Sequence, residues 1–388
     1  MTKDKTFADR LKTACKDRGL TYADLAARSE VSESSIKKIA IGKMNPSQFM
    51  IGKLADGLGV DAERLRKGLQ PEAALEIVPA LQRALASVDL MDDDLELESL
   101  DALRSRVVQV GKWRRGTQYR KIVPILPELV DHLLVRGRED GEQAYALLTD
   151  VYRAANTLAH KTGNHNLGLT ATERMEWAAK LSGDPLRVAT VGYLKAATLA
   201  RIGLTRKALK LLEREMAAIE DLVGKDVTAA AVYSTLHMRA GTIAATVGNT
   251  DLTRSHLTEA ADLARRFTDG RVVYDTVAGE TAVKLYRLAA EVDLGEAGTA
   301  TDISASINMP KDYPRERQTY GQLDRARLAL LKGMPDQAID ELWECRAVAP
   351  EHFRNSSAVK VVVESTGEKL WRPTDRYRSL AHSAGLVD

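Results

Sequence analysis

Glu33, Ser34, Lys37 and Lys38 stand at i, i+1, i+4 and i+5 around Ile36 and Ile39. If the two isoleucines face a core, the four polar side chains share the outer face of one short helix. That face presents a carboxylate acceptor, a hydroxyl and two ammonium donors, which suits hydrogen bonding to a polar partner better than bond breaking. Catalytic patterns are missing from the rest of the chain. It has no Gly-rich phosphate loop ending in Lys-Ser/Thr and no His-Glu-x-x-His pair. His160 and His165 are five apart without further ligands, so no metal and no cofactor is expected. Cys15 and Cys345 lie in no reactive motif and read as helix-face packing residues of a reduced protein. No enzymatic activity is expected.

The elements that position this polar face are short helices. Phe7, Leu11 and Ala14-Cys15 form one apolar stripe that stops at Gly19. Thr21 reads as the N-cap of a two-turn helix with Leu25-Ala26 facing inward, and Ser29-Glu30-Val31 as a turn with Val31 inserted between helices. Ser32 caps the helix of Ile36 and Ile39, which Gly42 ends. Ile51, Leu54, Ala55 and Leu58 line a fourth helix, and Asp61 to Arg66 make a short fifth. Two short helices joined by a tight turn, the second one capped, are the ingredients of a helix-turn-helix.

The ordered set Gly19-Leu20-Thr21, Leu25-Ala26, Val31-Ser32, Ile36, Ile39, Gly42-Lys43, Asn45-Pro46, Leu54-Ala55 and Leu58-Gly59-Val60 resembles the phage-repressor (Cro/repressor, XRE) domain over residues 6–67. The resemblance implies that the second helix of the motif enters the major groove of a double-stranded DNA operator. Glu33 would then accept from a cytosine amino group, Lys37 or Lys38 would donate to guanine, and Ser34 would pair with either kind of edge. Ser32, Ser35, Lys43 and Asn45 fall where the family touches phosphate or positions the helix, and the helix N-termini near Thr21 and Ser32 offer N–H groups to phosphates. Tyr22 stands where the family often has Gln, Glu30 replaces a common turn Gly, and Ala40-Ile41 replace a usual charged pair. The Tyr22 hydroxyl can still reach a phosphate.

Charge agrees with such a head. Residues 1–70 hold 14 Lys and Arg against 9 Asp and Glu, and the remainder 42 against 45. The 388 residues, 44% hydrophobic and 28% charged, exclude a disordered or collagen-like chain. The most apolar run, Ile122 to Val135, contains Pro124, Pro127, Glu128, Asp131 and His132 and cannot span a bilayer. No apolar stretch follows the first six residues, so the expectation is a cytoplasmic protein without a membrane partner. Gly68, Pro71 and Pro79 surround a short helix near Ala73 to Ala86, and the acidic run Asp92 to Glu98 reads as electrostatic support for the next helix start.

Beyond residue 100 the chain repeats. Gly116, Gly163, Gly203, Gly248, Gly295 and Gly333 recur at 47, 40, 45, 47 and 38 residues, the period of a stacked helical-hairpin solenoid. Ala196 and Ala208 flank Gly203 at the same offsets as Gly241 and Thr253 flank Gly248 and as Ala326 and Ala338 flank Gly333. Small residues there let two antiparallel helices approach closely. With Leu342, Cys345 and Pro350, the last unit resembles a tetratricopeptide (TPR) repeat, whereas Gln109, Asn156 and Leu288 depart from its small positions. The basic cluster Lys112, Arg114, Arg115, Arg120 and Lys121 reads as solvated, with Trp113 and Tyr119 packing the first hairpin.

A repressor-type head followed by TPR-like repeats resembles the peptide-pheromone receptors of quorum sensing (RRNPP type). Gly116 to Tyr119, Leu126 to Leu129 and Ala178 to Pro185 look closer still to actinobacterial regulators of this architecture. The resemblance implies a repressor or activator governed by a peptide or small-molecule effector in the TPR groove. The repeat's groove positions fall on Asp150, Arg153, Thr157, His160, Tyr193, Arg201, Thr235, Met238, Thr242 and Arg327. Arg153 and Arg201 suit a carboxylate, and Tyr193 can stack or hydrogen-bond. The expectation is therefore all-α: a five-helix head over 1–68, a helical linker over 69–99, and a TPR-like body over 100–388 that senses an effector and dimerises. Its rival is an interaction scaffold, whose groove binds a partner protein and whose head is a docking module.

Overall fold

The computed structural model describes residues 7–29, 31–44, 46, 48–58, 74–86, 95–162 and 164–386. The chain divides into two compact units, Met1–Leu75 with the last two residues, and Glu76–Leu386. The fold is all-α, a helix-turn-helix unit and a helical solenoid, with one small β-hairpin.

In the first unit, α1 (Phe7–Asp17), α2 (Tyr22–Ser29), α3 (Glu33–Ala40) and α4 (Gln48–Leu58) enclose Leu11, Cys15, Leu25, Val31, Ile36, Ile39, Leu54 and Leu58. α1 ends where Gly19, at φ +62°, lets the Leu20 N–H reach Cys15 O at 3.0 Å. α3 ends the same way: Gly42, at φ +72°, lets the Lys43 N–H reach Lys38 O at 2.8 Å. The fifth helix expected over 61–66, Gly163 and the acidic residues Asp92 to Asp94 lie outside the described residues.

The second unit opens with α5 (Ala74–Ala86), whose Ala80, Leu81, Ala84 and Leu85 join the first core of the body. Antiparallel pairs follow: α6 (Leu100–Arg115) with the one-turn α7 (Tyr119–Ile122) and α8 (Leu126–Asp140); α9 (Glu142–Lys161) with α10 (His165–Leu181); α11 (Pro185–Arg201) with α12 (Thr205–Val223); α13 (Val227–Ala245) with α14 (Thr250–Ala264); α15 (Glu280–Asp293) with α16 (Ala297–Ser306); and α17 (Arg315–Leu331) with α18 (Pro335–Val348). The short α19 (Pro350–Asn355), α20 (Ser357–Lys369) and α21 (Asp375–Ser383) complete it. Gly203, Gly248, Gly295 and Gly333 make their turns at φ between +71° and +82°, a region that disfavours other residues. At the first turn Thr117, at φ +58°, takes that conformation in place of Gly116.

The small positions do what their spacing implies. Ala196, Ala208, Ala326 and Ala338 are fully buried. A Cβ on Gly241 would lie 2.7 Å from Leu257 Cγ and 3.2 Å from Thr253 O, so α13 and α14 meet through the missing side chain.

Two features differ from the expectation. A β-hairpin, β1 (Arg271–Val273) and β2 (Thr276–Ala278), interrupts the helical repeat, pairing Val272 with Val277 across a Tyr274-Asp275 turn. Both turn residues have positive φ, +42° and +59°, as a two-residue hairpin demands. In addition the last helical pairs return to touch the first. α17 packs against α6, and α20 against α9 and α17, so the last pairs close back onto the first.

Gly241→Val should lower the unfolding free energy by about 1–3 kcal/mol, because the branched side chain forces two packed helices apart. Urea unfolding of the full chain measures this, and an unchanged midpoint would contradict the close approach.

Candidate functional site

In the first unit, α3 carries the polar face. Ile36, Ile39 and Ala40 are buried, while Ser34, Lys37 and Lys38 are exposed and Glu33 is half-buried. Glu33 Oε1 and Lys37 Nζ form an i, i+4 ion pair at 2.7 Å, both side chains still largely in solvent. Such exposed pairs are weak, so either group can be recruited by a partner at little cost. Ser32 caps α3: its Oγ accepts the Ser35 N–H at 3.2 Å and its hydroxyl donates to Ser35 Oγ at 2.8 Å. Thr21 and Asp24 cap α2 reciprocally, Thr21 N–H to Asp24 Oδ2 at 2.9 Å and Asp24 N–H to Thr21 Oγ1 at 3.1 Å. The Thr21 hydroxyl, donating to Asp24 Oδ2 at 2.6 Å, and then the Thr21 N–H hold the Asp24 carboxyl below its ordinary range. Tyr22 is half-buried against the core, Lys43 is exposed, and Asn45 lies outside the described residues. Ile41 is 61% exposed where its neighbour Ala40 is buried.

In the second unit the closed solenoid surrounds a cavity of about 460 Å³. Arg153, Thr157, His160, Tyr193, Arg201, Thr242 and Arg327 line it, brought together from α9, α11, α13 and α17. Met238 does not. It is 1% exposed and packs with Leu257, Ala260 and Val283, since one further residue of helical rotation gives the cavity to Arg239 instead. Asp150 and Thr235 also lie away from it: Asp150 pairs with Arg187 at 2.6 Å, and Thr235 bonds Val232 O.

The solvated reading of the basic cluster fails for two of its members. Arg114 is 4% exposed, with Nε 2.6 Å from Asp275 Oδ2, Nη2 2.7 Å from Asp275 O and Nη1 3.0 Å from Glu316 Oε2. Arg115 pairs with Asp275 as well, and Arg153 Nε lies 3.7 Å from the same carboxylate while its Nη2 donates to Thr276 Oγ1 at 2.8 Å. Lys161 is 3.4 Å from Glu316 and bonds the Tyr320 hydroxyl. Burial opposes ionisation of Glu316, but Arg114 and Lys161 outweigh it and hold the carboxyl well below the usual range. Tyr119 is buried, its hydroxyl 3.0 Å from His352 Nδ1, and Glu351 accepts the Arg120 N–H. Side chains from α6, α7, α9, the β-turn, α17 and α19 thus form one network that closes the solenoid.

Local packing sets the remaining lining. His160 Nε2 bonds Thr198 Oγ1 at 2.9 Å, and its ring lies over Gly168, where a Cβ would come within 2.8 Å of it. Arg327 is held by Asp293 and, at 2.9 Å, by Asp324. Tyr193 and Tyr286 share a hydroxyl hydrogen bond beneath Arg239, whose guanidinium lies 4.3 Å from the Tyr193 ring centre. Burial raises the Tyr193 phenol, but Arg239 and Arg317 overcome this and bring it down to about 7. The lining holds seven Lys and Arg side chains against three carboxylates.

Arg239, Arg317, Tyr286 and Tyr320 are among the cavity residues that sequence reasoning missed. Arg239 gave a signal as the neighbour of Met238, and Arg317 and Tyr320 as an i, i+3 pair opening α17. Glu98, Glu128 and His132 come close enough to share a cation, but Arg106 already pairs with both carboxylates there.

Two outcomes follow. Asp275→Asn keeps the turn conformation and removes the charge, and it should destabilise the body by about 3 kcal/mol by stranding buried guanidiniums. His352 is held down to about 3 by burial and then by Lys161, so it folds neutral. Its stabilising contribution is complete above its ordinary value of 6.5 and is lost as pH falls toward 3. Asp324, pushed up to about 6 by burial, works in the opposite direction. His352→Asn should therefore flatten the fall in urea stability below pH 6.5 by up to about 1.4 kcal/mol per pH unit. An unchanged slope would assign the acid lability to other groups.

Residues 6–67 match the family model of a helix-turn-helix domain. No curated protein and no solved structure matches the chain. No helix among the described residues is long and apolar enough to cross a membrane. The N-terminal unit is a helix-turn-helix domain of the DNA-binding kind.

Proposed function

We propose that this protein is a sequence-specific transcriptional regulator whose operator affinity is set by an effector in the cavity of a TPR-like body. The observation that carries the reading is the polar face of α3, projecting Ser34, Lys37 and Lys38 from a helix-turn-helix unit. Glu33, Ser34, Lys37 and Lys38 read base edges, while Thr21, Tyr22, Ser32, Ser35, Lys43 and Asn45 contact or position the phosphate backbone. Ser32 and Ser35 are occupied with each other and act chiefly by fixing the start of the reading helix. Arg153, Thr157, His160, Tyr193, Arg201, Thr242 and Arg327 take the effector.

The regulator acts in the cytoplasm as a homodimer, two heads reading half-sites about one helical turn apart. In this reading the order of a repressor-type head followed by hairpin repeats, the pattern that resembles ligand-controlled regulators, is the ground for control by a ligand. Effector binding shifts the population between packings of the body and so changes the spacing of the heads.

Genome-wide binding in the host identifies the operator, and Lys37→Ala with Lys38→Ala then tests the interface. Affinity should fall at least about 30-fold, and the dependence on salt should become shallower. Unchanged promoter affinity would favour the interaction scaffold instead.

A further inference from the structure

The cations of the cavity are not equally satisfied. Arg114 and Lys161 share Glu316, Arg327 holds Asp293 and Asp324, and Arg153 reaches Asp275. Arg201, Arg239 and Arg317 have no carboxylate within ion-pairing distance among the described residues. Arg239 and Arg317 instead point at one phenol oxygen, that of Tyr286, at 3.4 and 3.3 Å. The Nε of each is buried without a hydrogen-bond partner, and so is Nη1 of Arg153, a side chain only 4% exposed.

Desolvated guanidiniums that face one another are costly, and they persist where an anion completes them. The stacking of Arg239 on Tyr193 and Tyr286 fixes the guanidinium plane and leaves its edge free to bind bidentately. Leu194, Leu285 and Leu323 supply an apolar wall beside the charged one. The cavity has the size of a metabolite site.

The geometry points to a small organic polyanion as the effector, a carboxylate- or phosphate-bearing metabolite with more than one negative charge, clamped by Arg201, Arg239 and Arg317 with Arg153 Nη1 closing the site. This assignment rests on the regulator reading for its consequence on DNA, but not for binding itself. Tyr193 supplies an independent reporter. Its phenol lies against Arg239, Arg317 and Tyr286, and Arg153 and Arg201 line the same cavity. An arriving anion weakens the field that lowers the phenol, so the phenol should titrate at higher pH when the cavity is filled.

The test titrates the full-length protein with pyrophosphate and with citrate, each against sodium chloride at matched ionic strength, by calorimetry and heat shift. At least one should bind and raise the midpoint, and the one that does tells phosphate from carboxylate recognition. Arg239→Gln with Arg317→Gln should weaken it about tenfold or more. Arg201→Gln, an exposed side chain whose loss leaves the fold alone, should weaken it in the same direction. Binding should move the onset of phenolate absorbance to higher pH, and Tyr193→Phe should abolish that shift. If neither anion acts beyond chloride, or if the variants respond like the parent protein, the assignment is overturned. An amidated, uncharged peptide that binds while the anions do not would give the cavity to a peptide. If the anions bind and operator affinity does not change, the regulatory reading fails while the anion site stands.

Discussion

Arg114 is the side chain on which the form of the body depends. Its guanidinium, almost fully removed from solvent, holds Asp275 from a β-turn 161 residues further along the chain and Glu316 from a helix 202 residues further. A buried cation missing either partner is heavily penalised, so the arrangement that supplies both is set apart from other ways of stacking the same hairpins. Hydrophobic burial between neighbouring helices would be much the same in an open spiral and in a closed one. The ionic network distinguishes them, and it places α6, α9 and α17 side by side around the cavity. The Tyr119–His352 bond and the Glu351 contact to the Arg120 N–H repeat this choice at the rim.

What could be read from the sequence was what depends on neighbours in the chain. The caps at Thr21 and Ser32, the glycine stops at Gly19 and Gly42, and the inward Ile36 and Ile39 are local and stand as expected. The turns at Gly203, Gly248, Gly295 and Gly333 and the contact at Gly241 follow from conformational freedom and side-chain size. Most of the expected groove positions do line the cavity, because a repeated hairpin presents one face of each first helix inward. Met238 failed because a single residue on a helix turns the side chain by about 100°. Arg114 and Arg115 looked solvated because no carboxylate near them in sequence calls them inward. The β-hairpin escaped notice because Tyr274-Asp275 takes positive φ without the Asn-Gly or Asp-Gly signature of such turns.

The two units use charge in different ways. On α3 the cations are exposed and mobile, paired at most with a neighbour one turn away, so they remain available to a polyanion of extended charge. In the cavity the guanidiniums of Arg239 and Arg317 are stacked on rings and dehydrated, with directions fixed before any ligand arrives. Preorganisation of that kind favours selectivity, because the cost of orienting the donors has already been met during folding.

The reach of the Arg114 network also bears on the order in which the chain is made. A ribosome releases α6 long before the β-turn, α17 and α19, and until Asp275, Glu316 and His352 have emerged the first hairpin lacks the full set of partners for its buried cation and its phenol. Neighbouring hairpins can stack as they appear, as solenoid units do. The cavity, by contrast, arises late in vectorial synthesis, in a step that joins the early and late parts of the body at once. Nascent chains with unfinished bodies therefore pass through a period in which the cavity does not yet exist.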